Sequence, residues 1–142
     1  MEDCILINGD TVVFTPMFGA AMVTSRPGQL KGSGPATIGG KKVCVEGDEI
    51  SVSVPGCTYM TPQYSIPGNG TITIKKLGSD QKAEKTRTGG NPVLLKGSVC
   101  DAEFMVLVPA QQPGPAAPVL DPTIKYAGKG QFIPTNITTR GT

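Results

Sequence analysis

The chain has 142 residues, with 13 Lys and Arg residues and 11 Asp and Glu residues. The resulting net charge of +2 is too small to favour nucleic acid as a partner. It contains no His, which excludes Ser-His-Asp and Cys-His catalysis, and the remaining acidic clusters are expected to flank turns, so we predict that the protein is not an enzyme. The 19 Gly and 13 Pro residues, set among runs of Val, Ile and Thr, predict an all-β fold with short strands and many turns.

The first third of the chain predicts strands separated by one long loop. The acidic start of the sequence lacks the basic and apolar pattern of a signal peptide, so we expect synthesis and folding in the cytoplasm. Strands are predicted at residues 4–8 and 12–15, followed by a loop over residues 16–34 that holds one short strand. Residues 35–45 predict a hairpin that turns at Gly39-Gly40.

The middle of the chain contains two segments that alternate apolar and polar residues. In the first, Ile50, Val52 and Val54 are expected to share one buried face, and Pro55-Gly56 is expected to end the strand. In the second, residues 70–74, we expect the two Ile side chains to point inward. Residues 77–90 are polar and charged without an apolar stripe, and we predict an exposed excursion there.

The last two strands are predicted at residues 92–96 and 102–108, after which the composition changes. The segment 109–118 is rich in Pro and favours an extended, polyproline-like geometry. Such a segment cannot join a sheet as a central strand. Its continuation to residue 142 has apolar residues without a clear period. We therefore predict a folded domain over residues 1–108 and a Pro-rich tail, linker or partner-docking extension over residues 109–142, either flexible or ordered only against a partner.

Three stretches of the sequence are similar to each other. Residues 7–13, 45–51 and 95–101 each enter from aliphatic residues, pass a Gly followed by Asp or Ser, and return toward aliphatic or β-branched residues. The Gly permits a positive φ, and the Asp or Ser side chain can bond its own backbone, so each stretch predicts a turn. Three similar units in one small all-β chain suggest pseudo-threefold character.

The order of these motifs resembles that of the PAAR-repeat spike-tip proteins of contractile injection systems, the phage-tail-like particles and their relatives. That family carries a Gly-x-x-Val-Ala-x-x-Gly-Asp type of motif, then a Cys or His near a Pro-Gly turn, then a second copy that ends at Cys. Residues 39–48, 54–57 and 89–100 match this layout in order. The resemblance covers residues 4–108.

The resemblance implies a small PAAR-like β cone with pseudo-threefold character that caps and sharpens a trimeric β-helical spike, one tip per trimer. It further implies a structural role in puncture of the target envelope, with effector cargo as a second partner. The tip would be assembled into the injection particle and delivered outside the producing cell. Because an open trimeric β-helix ends in unpaired strand edges, a monomer with three similar strand ends could cap it.

The resemblance also bears on metal binding. The family commonly holds a zinc or iron ion at its apex with three His and one Cys. By position in the motif, Cys57 and Cys100 match places where ligands are expected, whereas Cys4 and Cys44 are expected in the core. Two thiolates are short of the four ligands that structural zinc takes. The alternative is an apex held by apolar packing, for example of Phe14, Met17, Phe18 and Met60.

A second function stays open from the residues alone. The chain could be a small β-rich binding module that recognises a glycan or peptide through the loops 16–34 and 77–90. Glycan sites usually stack sugars on Trp or Tyr rings, and Tyr59 and Tyr64 lie close together in sequence. Burial beside the Pro-Gly turns is the simpler expectation for both.

Overall fold

The computed structural model describes residues 3–24, 26–114, 117–136 and 139–141. In these ranges the backbone consists of strands and turns with one short 3-10 helix, so the predicted all-β class is confirmed. The acidic start at Met1 and Glu2 and five positions of the predicted tail (residues 115, 116, 137, 138 and 142) lie outside the described residues.

The strands range from two to nine residues in length. In chain order they are β1 (Asp3–Cys4), β2 (Thr11–Phe14), β3 (Met17–Phe18), β4 (Ala21–Val23), β5 (Gly28–Gln29), β6 (Thr37–Ile38), β7 (Lys41–Lys42), β8 (Ser53–Met60), β9 (Gly68–Lys76), β10 (Lys82–Thr88), β11 (Asn91–Leu94), β12 (Cys100–Val108), β13 (Gln111–Gln112), β14 (Val119–Leu120), β15 (Lys125–Ile133) and β16 (Arg140–Gly141). The 3-10 helix, η1, spans Asp48–Ser51.

One large antiparallel sheet forms the body of the molecule. Its strand order is β3-β4-β8-β9-β12-β15-β2-β5, and the remaining described strands pair as β1 with β16, β6 with β7, β10 with β11, and β13 with β14. Because β9, β12 and β15 alternate in direction, the start of β12 and the end of β15 lie at one end of the sheet. The end of β12 and the start of β15 lie at the other end.

The inner face of this sheet carries the main core. Strict alternation buries Ile72 and Ile74 of β9, as the sequence predicts, and it buries Ala102 and Phe104 of the neighbouring β12. The Phe104 ring lies between those of Phe18 and Tyr59, with centroid distances of 6.2 and 5.1 Å. Each such aromatic pair contributes about 0.5–1.5 kcal/mol beyond the burial of its area.

The expectation of a strand with Ile50, Val52 and Val54 on one face is wrong for Ile50. Ile50 lies in η1 and is 81% exposed, whereas Val52 and Val54 are buried. The Asp48 side chain accepts a hydrogen bond from the Val45 N–H and so closes a turn. The 3-10 helix η1 follows this turn directly, and the strand therefore begins only at residue 53. Pro55-Gly56 does not end β8 either, because the pairing with β9 shifts register there, as at a β-bulge, and then continues.

The predicted exposed excursion over residues 77–90 is partly a buried hairpin strand. Gln81 and Ala83 are buried, and β10 pairs with β11. The Gln81 side chain accepts a hydrogen bond from the Gly78 N–H at 2.8 Å and donates one to the Lys96 carbonyl oxygen at 3.3 Å. These bonds satisfy a buried polar group, which composition alone does not reveal.

The expectation that residues 119–142 are flexible or ordered only against a partner is wrong for β15. This strand lies between β12 and β2 in the large sheet and buries Phe132. The boundary at residues 108 and 109 stays a prediction about folding units. The described residues contain no helix with the length and apolar character needed to cross a membrane.

Candidate functional site

Three short segments close a ring of backbone hydrogen bonds at the end of the large sheet where β12 begins. The Leu6 N–H donates to the carbonyl oxygen of Leu94, the Leu94 N–H to that of Cys44, and the Cys44 N–H to that of Leu6, each at 2.9 Å. Each residue thus donates to one neighbour and accepts from the other. We call these three residues the ring.

A second set of three bonds lies one step outward and has the same threefold arrangement, with donation running around the ring in the opposite direction. In each bond the residue two positions after a ring residue donates to the carbonyl two positions before the next one. The bonds are Asn8 N–H to Lys42 O at 2.8 Å, Glu46 N–H to Pro92 O at 2.9 Å, and Lys96 N–H to Cys4 O at 2.9 Å. The three segments are therefore related by pseudo-threefold symmetry, which confirms the expectation from the sequence.

Side chains of the ring segments alternate between two apolar clusters. Leu6, Cys44 and Leu94 are fully buried and belong to the main core. Residues on either side of them point the opposite way, and five of the six form a second cluster with Ala83: Ile5, Ile7, Val43, Val93 and Leu95. Since successive residues of an extended chain face opposite sides, the ring lies between the main core and the second cluster.

Each ring segment ends in the turn that the sequence predicts. Gly9, Gly47 and Gly97 stand at the same distance after the ring residues and have φ values of 90°, 103° and 55°. These values favour glycine because a Cβ would be strained there. In the first two turns an Asp closes the loop, since Asp10 accepts from the Ile7 N–H and Asp48 from the Val45 N–H, both at 2.8 Å.

The third turn departs from the symmetry. Ser98 occupies the place of the Asp, and its hydroxyl donates to Asp80 at 2.7 Å. The Leu95 N–H donates instead to the Gln81 carbonyl oxygen at 2.9 Å. A backbone carbonyl thus replaces the missing carboxylate, and the ring is preserved.

Each chain segment that contains a ring residue also pairs with one further strand. We call each such two-stranded pair an arm. The second arm is the predicted hairpin β6–β7, and the third is β10–β11. Both turn at a Gly-Gly pair with φ values of 58° and 82°, at Gly39-Gly40 and at Gly89-Gly90. The Ala36 N–H donates to the Thr88 hydroxyl at 3.2 Å, which joins these two arms side by side.

The first arm is built differently, because its outer strand comes from the far end of the sequence. β16 pairs with β1, and the Ile5 N–H faces the Thr139 carbonyl oxygen at 3.4 Å. The Asn136 side chain donates to the carbonyl oxygens of both Ile5 and Thr139, at 3.1 and 2.6 Å. Sequence reasoning missed this strand, although the equal spacing of the two Gly-Gly pairs before Cys44 and Leu94 indicated that a third outer strand was needed.

Three edge strands therefore surround this end of the molecule. In the described part of the chain β6, β10 and β16 each pair with one strand only, within their own arm, and β16 also lies against β10 where Gly141 is beside Thr86. Four of the seven residues of β10 are charged: Lys82, Glu84, Lys85 and Arg87. Charged side chains on an open edge discourage pairing with unrelated strands.

The two predicted metal ligands, Cys57 and Cys100, are both buried in the main core. Burial raises the pKa of Cys100 to about 11, which disfavours the thiolate that a metal binds. Among the described residues no group of three or more Cys, Asp or Glu side chains is placed to hold a metal. The donor set does not fit a four-coordinate zinc site, and metal binding at these residues stays a prediction.

The other two cysteines lie at the ring. Cys44 is a ring residue, and burial, with the nearby Asp48 and Asp10, raises the pKa of its thiol to about 12. Cys4 is half-buried in β1. The proposed apolar apex is only partly formed, because Phe14 and Phe18 are buried whereas Met17 and Met60 are exposed.

At the opposite end of the sheet a buried carboxylate holds two tyrosines. Asp121 accepts hydrogen bonds from the hydroxyls of Tyr59 and Tyr126 at 2.8 and 2.6 Å, and from the Thr123 N–H at 2.9 Å. Burial alone would raise the pKa of Asp121, but these bonds outweigh it and lower the pKa. Tyr59 is buried, so it offers no stacking surface for a sugar, and its burial raises the pKa of its hydroxyl to about 12.

Comparison with known proteins gives one family. The family model described as contractile injection system spike tip protein matches residues 1–142. No curated protein matches the chain.

Proposed function

The chain belongs to the contractile injection system spike tip family, and on that premise we propose that it caps the end of a trimeric β-helical spike with the ring and its three arms. One tip would serve three spike chains. The role is structural and not enzymatic, and it includes aiding puncture of the target envelope. The particle that carries the spike carries the tip with it.

The observation that carries this proposal is the closed hydrogen-bonded ring of Leu6, Cys44 and Leu94. A trimeric spike offers three equivalent chain ends around one axis. A single chain can satisfy all three alike only if it repeats its own contact surface by the same rotation. The ring supplies that rotation within one polypeptide.

The three edge strands supply the contact. β6, β10 and β16 each have only one paired strand, and one such strand belongs to each arm. A spike strand added to each edge would satisfy backbone groups on both partners, as in β-augmentation. Charges on β10 restrict this pairing to a partner whose charges complement them.

Effector cargo is the second partner in the proposal. The Pro-rich composition of residues 109–118 suits a spacer, so a payload would be tethered through this segment and would not occupy the end of the sheet itself.

A pair of substitutions at one residue tests docking through the arms. Ile38 pairs with Lys41 beside the Gly-Gly turn, so the alternate residue, Thr37, directs its N–H to the open edge of β6. Thr37→Pro removes that N–H, whereas Thr37→Ala keeps it. We expect Thr37→Pro to weaken binding to the purified spike trimer at least about tenfold and Thr37→Ala to bind like the wild type.

Equal binding of the two variants would contradict docking through this edge. Far-ultraviolet circular dichroism of both proteins checks that the sheet is retained. The competing function, a binding module that acts through the loops 16–34 and 77–90, predicts no complex of the wild-type protein with the spike. That result would remove the capping proposal altogether.

A further inference from the structure

The end of the sheet opposite the ring is almost free of charge. Residues 50–74 contain no Asp, Glu, Lys or Arg, and residues 104–124 contain only Asp121. These segments meet there, since Tyr59 pairs with Gly68 and Val108 with Asn69. All 13 Lys and Arg residues of the chain lie outside both segments.

The single charge inside this region does not reach the surface. Asp121 is buried, and its oxygens accept hydrogen bonds from two tyrosine hydroxyls and one backbone N–H. The nearest surface charges along the strands are Lys125 and Glu103, which pair with each other at 3.6 Å. The outer surface beyond this pair is therefore neutral.

Large aliphatic side chains are exposed on this neutral end. Ile124 is 70% and Leu107 is 63% exposed, and four further residues are about half exposed: Ile66, Val108, Val119 and Leu120. They sit on adjoining backbone, because Ile66 bridges to Gln111, Gln111 pairs with Leu120, and the Val106 N–H donates to the Ile124 carbonyl oxygen. We call these six residues the apolar end. Monomeric proteins seldom leave such a group uncovered without a partner.

We propose that the apolar end is a lipid-binding surface that enters the interfacial layer of the target bilayer. This inference rests on the proposed function, which assigns the ring end to the spike and leaves the apolar end leading. Charged side chains resist transfer from water into apolar lipid, so a surface without charge favours entry into a bilayer. A protein partner makes no such demand, because protein interfaces have a polar rim and tolerate charge there.

The backbone sets the depth of this contact. The hairpin β13–β14 has an open edge, and an unpaired strand edge is not tolerated in the hydrocarbon core. The apolar side chains would therefore enter the headgroup and upper acyl region, where water still reaches the backbone. Binding strength at this depth scales with the buried apolar area, and a surface without charge gains nothing from anionic lipid.

Flotation of the full chain with phosphatidylcholine vesicles tests the proposal. We expect the wild-type protein to float with the vesicles, and we expect addition of phosphatidylglycerol or of salt to leave the bound fraction unchanged. The double variant Leu107→Lys with Ile124→Lys should lose at least about tenfold in partitioning. Ile50→Lys is the matched control, because Ile50 is 81% exposed beside the ring end and should have no effect.

Three flotation results would overturn the proposal: no flotation of the wild-type protein, equal flotation of the double variant, or flotation only with anionic lipid. The same variants separate this failure from failure of the capping function. The double variant should still bind the purified spike trimer like the wild type. Loss of spike binding in the double variant would show that the apolar end faces a protein, which also overturns the proposal.

Discussion

The N–H of Cys44 donates to the carbonyl oxygen of Leu6 at 2.9 Å, and the side chains of both residues are fully buried in the main core. The two residues stand immediately before different repeats of the same turn motif. This bond is therefore both a contact within the core and one third of the pseudo-threefold ring. Damage to the packing beneath the ring should affect the arms above it.

Truncation of a ring side chain should destabilise the whole fold. Leu94→Ala would leave a cavity under the ring, and buried Leu-to-Ala changes cost about 2–5 kcal/mol. Chemical denaturation measures the change in the free energy of unfolding. Ile50→Ala is the control and should stay within about 0.5 kcal/mol of the wild type, so equal effects of the two variants would contradict the role of the ring.

Removal of β16 should impair docking more than folding. Deletion of residues 139–142 takes away the outer strand of the first arm but leaves the eight-stranded sheet. We expect spike binding to fall at least about tenfold while circular dichroism still reports the sheet. Arg140→Ala is the control, since it keeps the backbone pairing of β16, and a truncated protein that binds like this variant would contradict the three-arm account.

The buried Asp121 should contribute stability at neutral pH and lose it in acid. Its pKa is lowered from the usual 3.8, so the contribution is fully present above pH 3.8 and disappears as the pH falls through the lower folded value. Asp121→Asn should cost about 1–3 kcal/mol at pH 7, with the difference from the wild type shrinking below pH 4.

Denaturation of both proteins across this pH range gives the measurement for Asp121. Asp101→Asn serves as the control, because Asp101 pairs with Lys129 on the surface and exposed ion pairs contribute little. A constant difference between Asp121→Asn and the wild type down to low pH would mean that the carboxylate charge is not what holds the tyrosines.

Metal binding at Cys57 and Cys100 can be tested directly. The two buried thiols lack further ligands among the described residues, so we expect protein purified with added zinc to carry no stoichiometric metal. Elemental analysis and intact mass measure this. One zinc or iron ion per chain, lost in both Cys57→Ser and Cys100→Ser, would show instead that the family's metal site persists with altered ligands.

The symmetry of the ring end could be predicted from the sequence because it depends on local chemistry. A Gly that takes a positive φ and an Asp that bonds back to the chain mark the turns at Gly9 and Gly47 without reference to the rest of the fold. The hairpin at Gly39-Gly40 was predictable for the same reason. Alternation also placed Ile72 and Ile74 correctly.

Contacts between distant segments could not be predicted in this way. β15 pairs with β2 across most of the chain, and its Gly and Lys residues give no clear period. The burial of Gln81 depends on its bond to the Lys96 carbonyl oxygen, which no local pattern indicates. Ile50 alternates with Val52 and Val54, yet the turn at Asp48 removes it from the strand.

Native mass spectrometry of the tip mixed with the spike trimer of the same particle tests the central claim most directly. A single chain with an internal threefold ring predicts a complex of one tip and three spike chains, with no species that carries two or three tips. A complex of three tips with three spike chains would mean that each spike chain binds its own copy. That stoichiometry, or the absence of any complex at micromolar concentrations, would contradict the account.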